Sequence, residues 1–239
     1  METEHTVKSF DEELDRIDDL ILEMGGLVET QLSQAAAALA RRDTDLAARI
    51  ITGDQRVDEL ERAIDTQAIR VIALRQPVAE DLRRVVSSFK IGSNLYRIGD
   101  LVKNMAKRTN ALAQVSVVES AIGTIVRMSG QVQRMAKEAL DAYTNRDAAK
   151  AASARDRDKT VDETYNTLFR ELLTYMMEDQ RNITACMHLL FIGKNVERMG
   201  DYVTSVAEQV HYIITGDMLD DDRAKGDTTS YAVVEPSES

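Results

Sequence analysis

Apolar residues recur at spacings of three and four from near the start of the chain to about residue 216, a pattern that admits helix and little else. Leu14, Ile17, Ile21, Met24, Val28, Leu32, Ala35 and Leu39 form one stripe and predict a first long amphipathic helix. "RRDTD" at 41–45 interrupts it with an Asp suited to capping. A second pattern (Leu46, Ile50, Val57, Leu60, Ile64, Ile69, Ile72) then runs to about Leu74. Gln76-Pro77 opens a third. Proline is tolerated in a first helical turn, where its missing N–H had no partner anyway, so this helix is predicted from Val78 to about Ala113. Two prolines, no Trp and an abundance of helix formers in 239 residues leave almost no room for β-structure.

The second half repeats the first. "MGGLVETQLSQAAAALARRD" (24–43) aligns with "MSGQVQRMAKEALDAYTNRD" (128–147) at an offset of 104, which also carries Asp54 and Asp58 onto Asp158 and Asp162. "IGSNLYRIGD" (91–100) returns as "IGKNVERMGD" (192–201) at an offset of 101. The shortening falls at the turn between the second and third helices, where a packed bundle tolerates a length change. The expected fold is therefore all-α, two tandem duplicated three-helix bundles with six long helices, spanning 1–113 and 114–216. Past Gly216, residues 217–239 lose their periodicity and are expected to form a disordered acidic tail.

A formal net charge of -11 opposes binding to nucleic acid, which runs on clustered basic charge. The single cysteine, Cys186, excludes an intramolecular disulfide framework and fits a reducing compartment. The acidic N-terminus lacks the apolar core of a secretory signal, and no apolar run approaches the ~18 residues of a membrane span. The expected location is cytoplasmic.

Glycine inside a helix costs about 1 kcal/mol against Ala. Gly92, Gly99, Gly193 and Gly200 therefore need a local reason, either close helix packing or a backbone cleared for a ligand. Glu197 and Asp201 lie four apart, on one helix face, where like charges repel. Asp54 with Asp58, and Asp158 with Asp162, have the same spacing, and Asp100 repeats Asp201. If the second and third helices of each bundle are adjacent, four acids converge in the second repeat, and three plus Tyr96 in the first. Such a cluster is either a solvated acidic face or a site for a hard or borderline cation that removes the repulsion. Glu61 and Asp65 continue the Asp54 stripe and are read as solvated.

"MGGLVETQL", "RQPVAEDLR", "RIGD", "LLTYMMEDQRNI" and "ERMGD", in that order in a duplicated chain, resemble the PhoU family of phosphate-uptake regulators over about residues 5–216. The resemblance implies two three-helix bundles, commonly a homodimer, with multinuclear metal sites on Glu/Asp-x-x-x-Asp motifs. It implies a non-enzymatic adaptor, peripheral at the inner membrane through its partners. Such an adaptor restrains the phosphate-starvation response by coupling the ATPase of the phosphate ABC transporter to a sensor histidine kinase. Carried over by position, the metal residues are Asp158, Asp162, Glu197 and Asp201 in the second repeat, and Asp54, Asp58 and Asp100 in the first. The first repeat departs from the pattern at Tyr96, where the family usually has Glu, and a neutral phenol is a poorer ligand. Iron, manganese, magnesium, calcium and zinc all suit such oxygen donors.

Two rival readings carry different expectations. Glu208-x-x-His211 and Glu2-x-x-His5 have the spacing used by dimetal carboxylate oxidoreductases inside helical bundles, although His211 is ordinarily an exposed residue near a helix end. His188, in an apolar stretch, reads as a core histidine. A purely structural helical module with an acidic surface needs no metal at all. No Gly-rich phosphate loop, nucleophile elbow or Cys/His arrangement is present, so no catalytic apparatus is expected.

Overall fold

The computed structural model describes residues 2–116, 118–219 and 226–229, with side chains from Phe10 onward. Helices α1 (Glu2–Arg41), α2 (Thr44–Arg75) and α3 (Ala79–Leu112) form the first bundle. Helices α4 (Glu119–Asn145), α5 (Ala148–Asp156), α6 (Asp158–Glu178) and α7 (Ile183–Thr215) form the second, with a short 3₁₀ turn at Gln180–Asn182 ahead of α7. There is no strand among the described residues.

The helix ends follow from side-chain chemistry. Asp43 Oδ1 accepts a hydrogen bond from Leu46 N at 2.8 Å, and its counterpart Asp147 accepts one from Lys150 N at 2.9 Å. A residue before proline is driven out of the right-handed helical region. Gln76 accordingly ends α2 with φ 49°, and α3 starts at Ala79 with Val78 as its extended N-cap, so Pro77 lies in the connection and not in the first turn. The predicted fifth helix is divided at Arg157, where Thr160 N bonds the Arg157 carbonyl at 3.0 Å in a tighter turn. That break puts Asp158 in the opening turn of α6, where the helix dipole favours a carboxylate.

One apolar core runs through both bundles, from Leu14 on α1 to Ile213 on α7. The bundles meet through α1 against α4 and α3 against α7. A Cβ on Gly25 would lie 2.6 Å from Leu140 Cδ1, so α1 and α4 approach closely there. Tyr143 Oη donates to Asp18 Oδ1 at 2.5 Å, and Arg83 Nη2 donates to the Ile213 carbonyl at 3.2 Å. The duplication extends to the surface: Leu82 and Val86 at the start of α3 are exposed, as are Ile183 and Met187 at the start of α7.

Of the tail expected to carry no packed structure, residues 226–229 lie against α6 and α7, and 220–225 and 230–239 fall outside the described residues. The Glu2/His5 pair lies outside the described side chains.

Candidate functional site

Within each bundle the second and third helical runs are adjacent, as the convergence of acids required. The repeated glycines explain how closely. A Cβ on Gly193 would fall 2.6 Å from Leu168 Cδ2, and one on Gly200 would collide with Asp158 Oδ1. In the first repeat a Cβ on Gly99 would lie 3.1 Å from Val57 Cγ1 and 3.7 Å from Asp54 Oδ1. Close packing and access to carboxylates are thus one feature: each glycine removes a side chain where the acid-bearing helix crosses.

In the second repeat Asp158, Asp162 and Glu197 are buried, at 1%, 3% and 4% exposure, while Asp201 is half-buried. Buried carboxylates at these levels are not solvated surface acids. Burial pushes the Glu197 carboxyl up to about 7, against the pull of the Lys194 ammonium, whose Nζ stands 2.8 Å from Glu197 Oε2. Lys194 Nζ also donates to Asp227 Oδ2 at 2.7 Å. Burial draws the Lys194 pKa down, but its bonds to Asp227 and Glu197 outweigh that and raise it. Asp162 Oδ2 accepts from the backbone N–H of Gly226 at 2.8 Å.

The first repeat is built otherwise. Asp54 is buried, and Lys103 Nζ donates to its Oδ2 at 2.5 Å. That bond raises the lysine pKa. Asp58, Asp100 and Tyr96 are half-buried. The negative charge of Asp100, then burial and Asp58, raise the Tyr96 pKa, so its phenol stays neutral. Glu61 and Asp65, expected to be solvated, are half-buried, and burial raises both pKa values.

A resident metal has to be matched against these donors. Their chemistry suits a hard cation, and a buried Glu that binds a proton this readily is one that a cation would stabilise. Among the described residues, however, no three His, Cys, Asp or Glu side chains are gathered closely enough to hold an ion. Lysine ammonium groups lie on Asp54 and Glu197, and a main-chain N–H lies on Asp162.

The other candidates separate. Glu208 is engaged by Arg155 Nε at 2.9 Å, while His211 Nδ1 lies 3.1 Å from the Asp217 carbonyl, so this pair does not converge on one point. His188 is half-buried, with Nδ1 3.3 Å from Arg108 Nη1. Lys103, Asn166, Lys194 and the Gly226–Thr229 segment were not singled out from the sequence. Asn166 was visible as the next step of the Asp158, Asp162 stripe, and Lys194 stands one turn before Glu197.

A duplicated three-helix bundle with acids four residues apart on each repeat, both buried in the second and only Asp54 buried in the first, defines a class of all-helical protein without a catalytic constellation among the described residues. The chain belongs to the PhoU family: the PhoU domain model matches residues 21–109 and 125–210, one copy per repeat. It is 47% identical over 228 residues to a phosphate-specific transport system accessory protein PhoU homolog of Caulobacter vibrioides (strain NA1000 / CB15N), covering 95% of this chain and 99% of the relative. A homolog of the same description from Rhizobium meliloti (strain 1021) is 45% identical, with 95% of each chain covered. The crystal structure of PhoU from Pseudomonas aeruginosa superposes with a TM-score of 0.84 at 39% identity, over 87% of this chain and 100% of that one. That of the phosphate transport system regulatory protein PhoU from Streptococcus pneumoniae gives 0.82 at 31% identity, over 88% and 99%.

Proposed function

We propose that this chain is a non-enzymatic regulatory adaptor of phosphate uptake, which restrains the phosphate-starvation response by coupling the phosphate ABC transporter to a sensor histidine kinase. The observation that carries the reading is full-length similarity, across both repeats, to relatives described as accessory to phosphate-specific transport. The acidic balance of -11 repels anionic lipid, and no described helix is long and apolar enough to cross a membrane. Both fit recruitment to a membrane face by protein partners, and in this reading the chain acts as a homodimer on the cytoplasmic side.

In the same reading Asp158, Asp162, Glu197 and Asp201 hold a hard cation once the Lys194 ammonium and the Gly226 N–H withdraw. A bound ion would supply positive charge to offset the repulsion of these carboxylates, which the chain presents from α6 and α7. Asp54, Asp58 and Asp100 form a weaker counterpart, because Lys103 already neutralises Asp54 and Tyr96 supplies no charge.

A pull-down from phosphate-replete cells tests the adaptor: the transporter ATPase or a sensor kinase is the expected catch. Repeated recovery of neither, from cells that express both, refutes it.

A further inference from the structure

The Gly226–Thr229 segment is held on α6 and α7 by contacts that read a main chain, not merely a charge. Asn166, 8% exposed, donates from Nδ2 to the Gly226 carbonyl at 2.6 Å. Its Oδ1 accepts from the Thr228 backbone N–H at 3.1 Å. One side-chain amide thus pairs with a C=O and with an N–H two residues on, while Asp227 Oδ1 accepts from Thr229 N at 2.8 Å and turns the segment there. Asp162 Oδ2 accepts the preceding N–H, that of Gly226, at 2.8 Å. Specificity comes from two further contacts. A Cβ on residue 226 would fall 2.9 Å from Asp162 Cβ, so the first position admits only glycine. Asp227 is 10% exposed at its side chain and pairs with Lys194 Nζ at 2.7 Å, so the second demands an acid. Lys194 is itself placed over the Tyr165 ring, 5.3 Å from its centroid.

We propose that the α6–α7 face is a peptide-binding site for a Gly-Asp-Thr segment, with the chain's own Gly226–Thr229 as its resident ligand. Asn166 and Asp162 bind the main chain, and Lys194 binds the acidic side chain. Because the ligand is tethered to the end of α7 through the ten residues 216–225, its effective concentration is on the order of millimolar, and a peptide of the same chemistry added in trans competes poorly until the tether's own contacts are weakened. The site exists whether or not the adaptor reading holds, since every contact in it is intramolecular.

Full-length chain supplies the test, with the tail variant Gly226→Ala/Asp227→Ala, whose changes lie outside every helix, and with Asn166→Ala. In the wild-type chain, NMR hydrogen exchange at the Gly226 and Thr228 amides is expected to be slowed at least tenfold against an unstructured peptide, and Asn166→Ala should abolish the slowing at Thr228. A fluorescent peptide of sequence Ala-Lys-Gly-Asp-Thr-Thr-Ser-Tyr should bind the tail variant at least tenfold more tightly than the wild type. Adding Asn166→Ala to the tail variant should remove that binding while its circular dichroism stays helical. Random-coil exchange at both wild-type amides, equal peptide affinity for wild type and tail variant, or binding indifferent to Asn166 overturns the proposal.

Discussion

Replacing a mid-helix glycine by alanine gains about 1 kcal/mol of helix propensity wherever the methyl group has room. The glycines of this chain differ mainly in that room, so a matched series isolates the cost of the α6–α7 approach. At Gly26, in the middle of α1, nothing lies within 4 Å of an added Cβ, and Gly26→Ala should stabilise by about 0.5–1 kcal/mol. At Gly99 the Cβ would meet Val57 Cγ1 at 3.1 Å, a contact a few tenths of an ångström too tight, and gain and loss should nearly cancel. At Gly200 the Cβ would collide with a carboxylate that is 1% exposed and fixed in the first turn of α6. Overpacking of this kind costs about 1–3 kcal/mol, so after the propensity gain Gly200→Ala should lose about 0.5–2 kcal/mol. Urea unfolding of the three variants, followed by circular dichroism, reads these differences directly. If Gly200→Ala is as stable as Gly26→Ala, the repeated glycine is not there to admit Asp158 and the packing account fails.

Lys103→Ala should destabilise by about 1–3 kcal/mol, because it strands the buried Asp54 carboxylate, and adding Asp54→Asn should recover most of the loss; a thermal melt with no recovery would show the pair to be incidental. For Glu197 the folded carboxyl near 7 lies above its ordinary value of 4.5, so the folded state holds the proton more tightly, and its contribution to stability, full below pH 4.5, is lost as pH rises through 7. That gap converts to about 3 kcal/mol. Part of it is already lost by pH 5, which lies above the ordinary value, and this leaves about 2 kcal/mol across pH 5–8. In chelator, Glu197→Gln should therefore gain about 2 kcal/mol relative to wild type between pH 5 and pH 8, and an unchanged or opposite difference in urea midpoints would contradict this. In manganese titrations, Asp201→Asn should lower bound metal sharply and Asp100→Asn hardly at all, while Tyr96→Glu should raise it; equal losses from both Asn variants would show that the first repeat has other donors.

The helices, the duplication and the caps were legible because each is written locally: an apolar stripe, an offset, an Asp ahead of a helical run. The glycines signalled that some helix crosses closely, but which one was left as a condition, and the structure supplies the pairs α2 with α3 and α6 with α7. The break at Arg157 was not legible, since "ARDRDKT" contains neither proline nor glycine, and the tighter turn there is set by packing. Nor were the counter-charges. Lys103 and Lys194 each stand three residues from a candidate acid, as surface lysines on charged helices often do. What distinguishes them is that Asp54 and Glu197 are buried, a property of the crossing helices. The seating of Gly226–Thr229 was hidden for the opposite reason: a glycine and three polar residues in an acidic tail carry no periodicity, and their partners Asp162 and Asn166 lie sixty or more residues away.

The two repeats carry the same acids but settle their charge by different means, and the duplication makes the difference plain. Lys103 of the first repeat corresponds to Thr204 of the second, which is buried, and Lys194 of the second corresponds to Ser93 of the first, which is exposed. Neither lysine was therefore inherited by both repeats at its present place. In the first, one ammonium bonds one buried Asp within the bundle, and both partners stand on helices, α3 and α2. In the second, the ammonium is divided between Glu197 and Asp227, and the latter sits on a segment reached only through the chain beyond α7. Loss of that segment would remove Asp227 from Lys194, leaving its bond to Glu197, and would remove the Gly226 N–H from Asp162. In the first repeat a lysine of the bundle thus neutralises Asp54, whereas in the second the charge of Lys194 is shared with a segment that lies outside the helices.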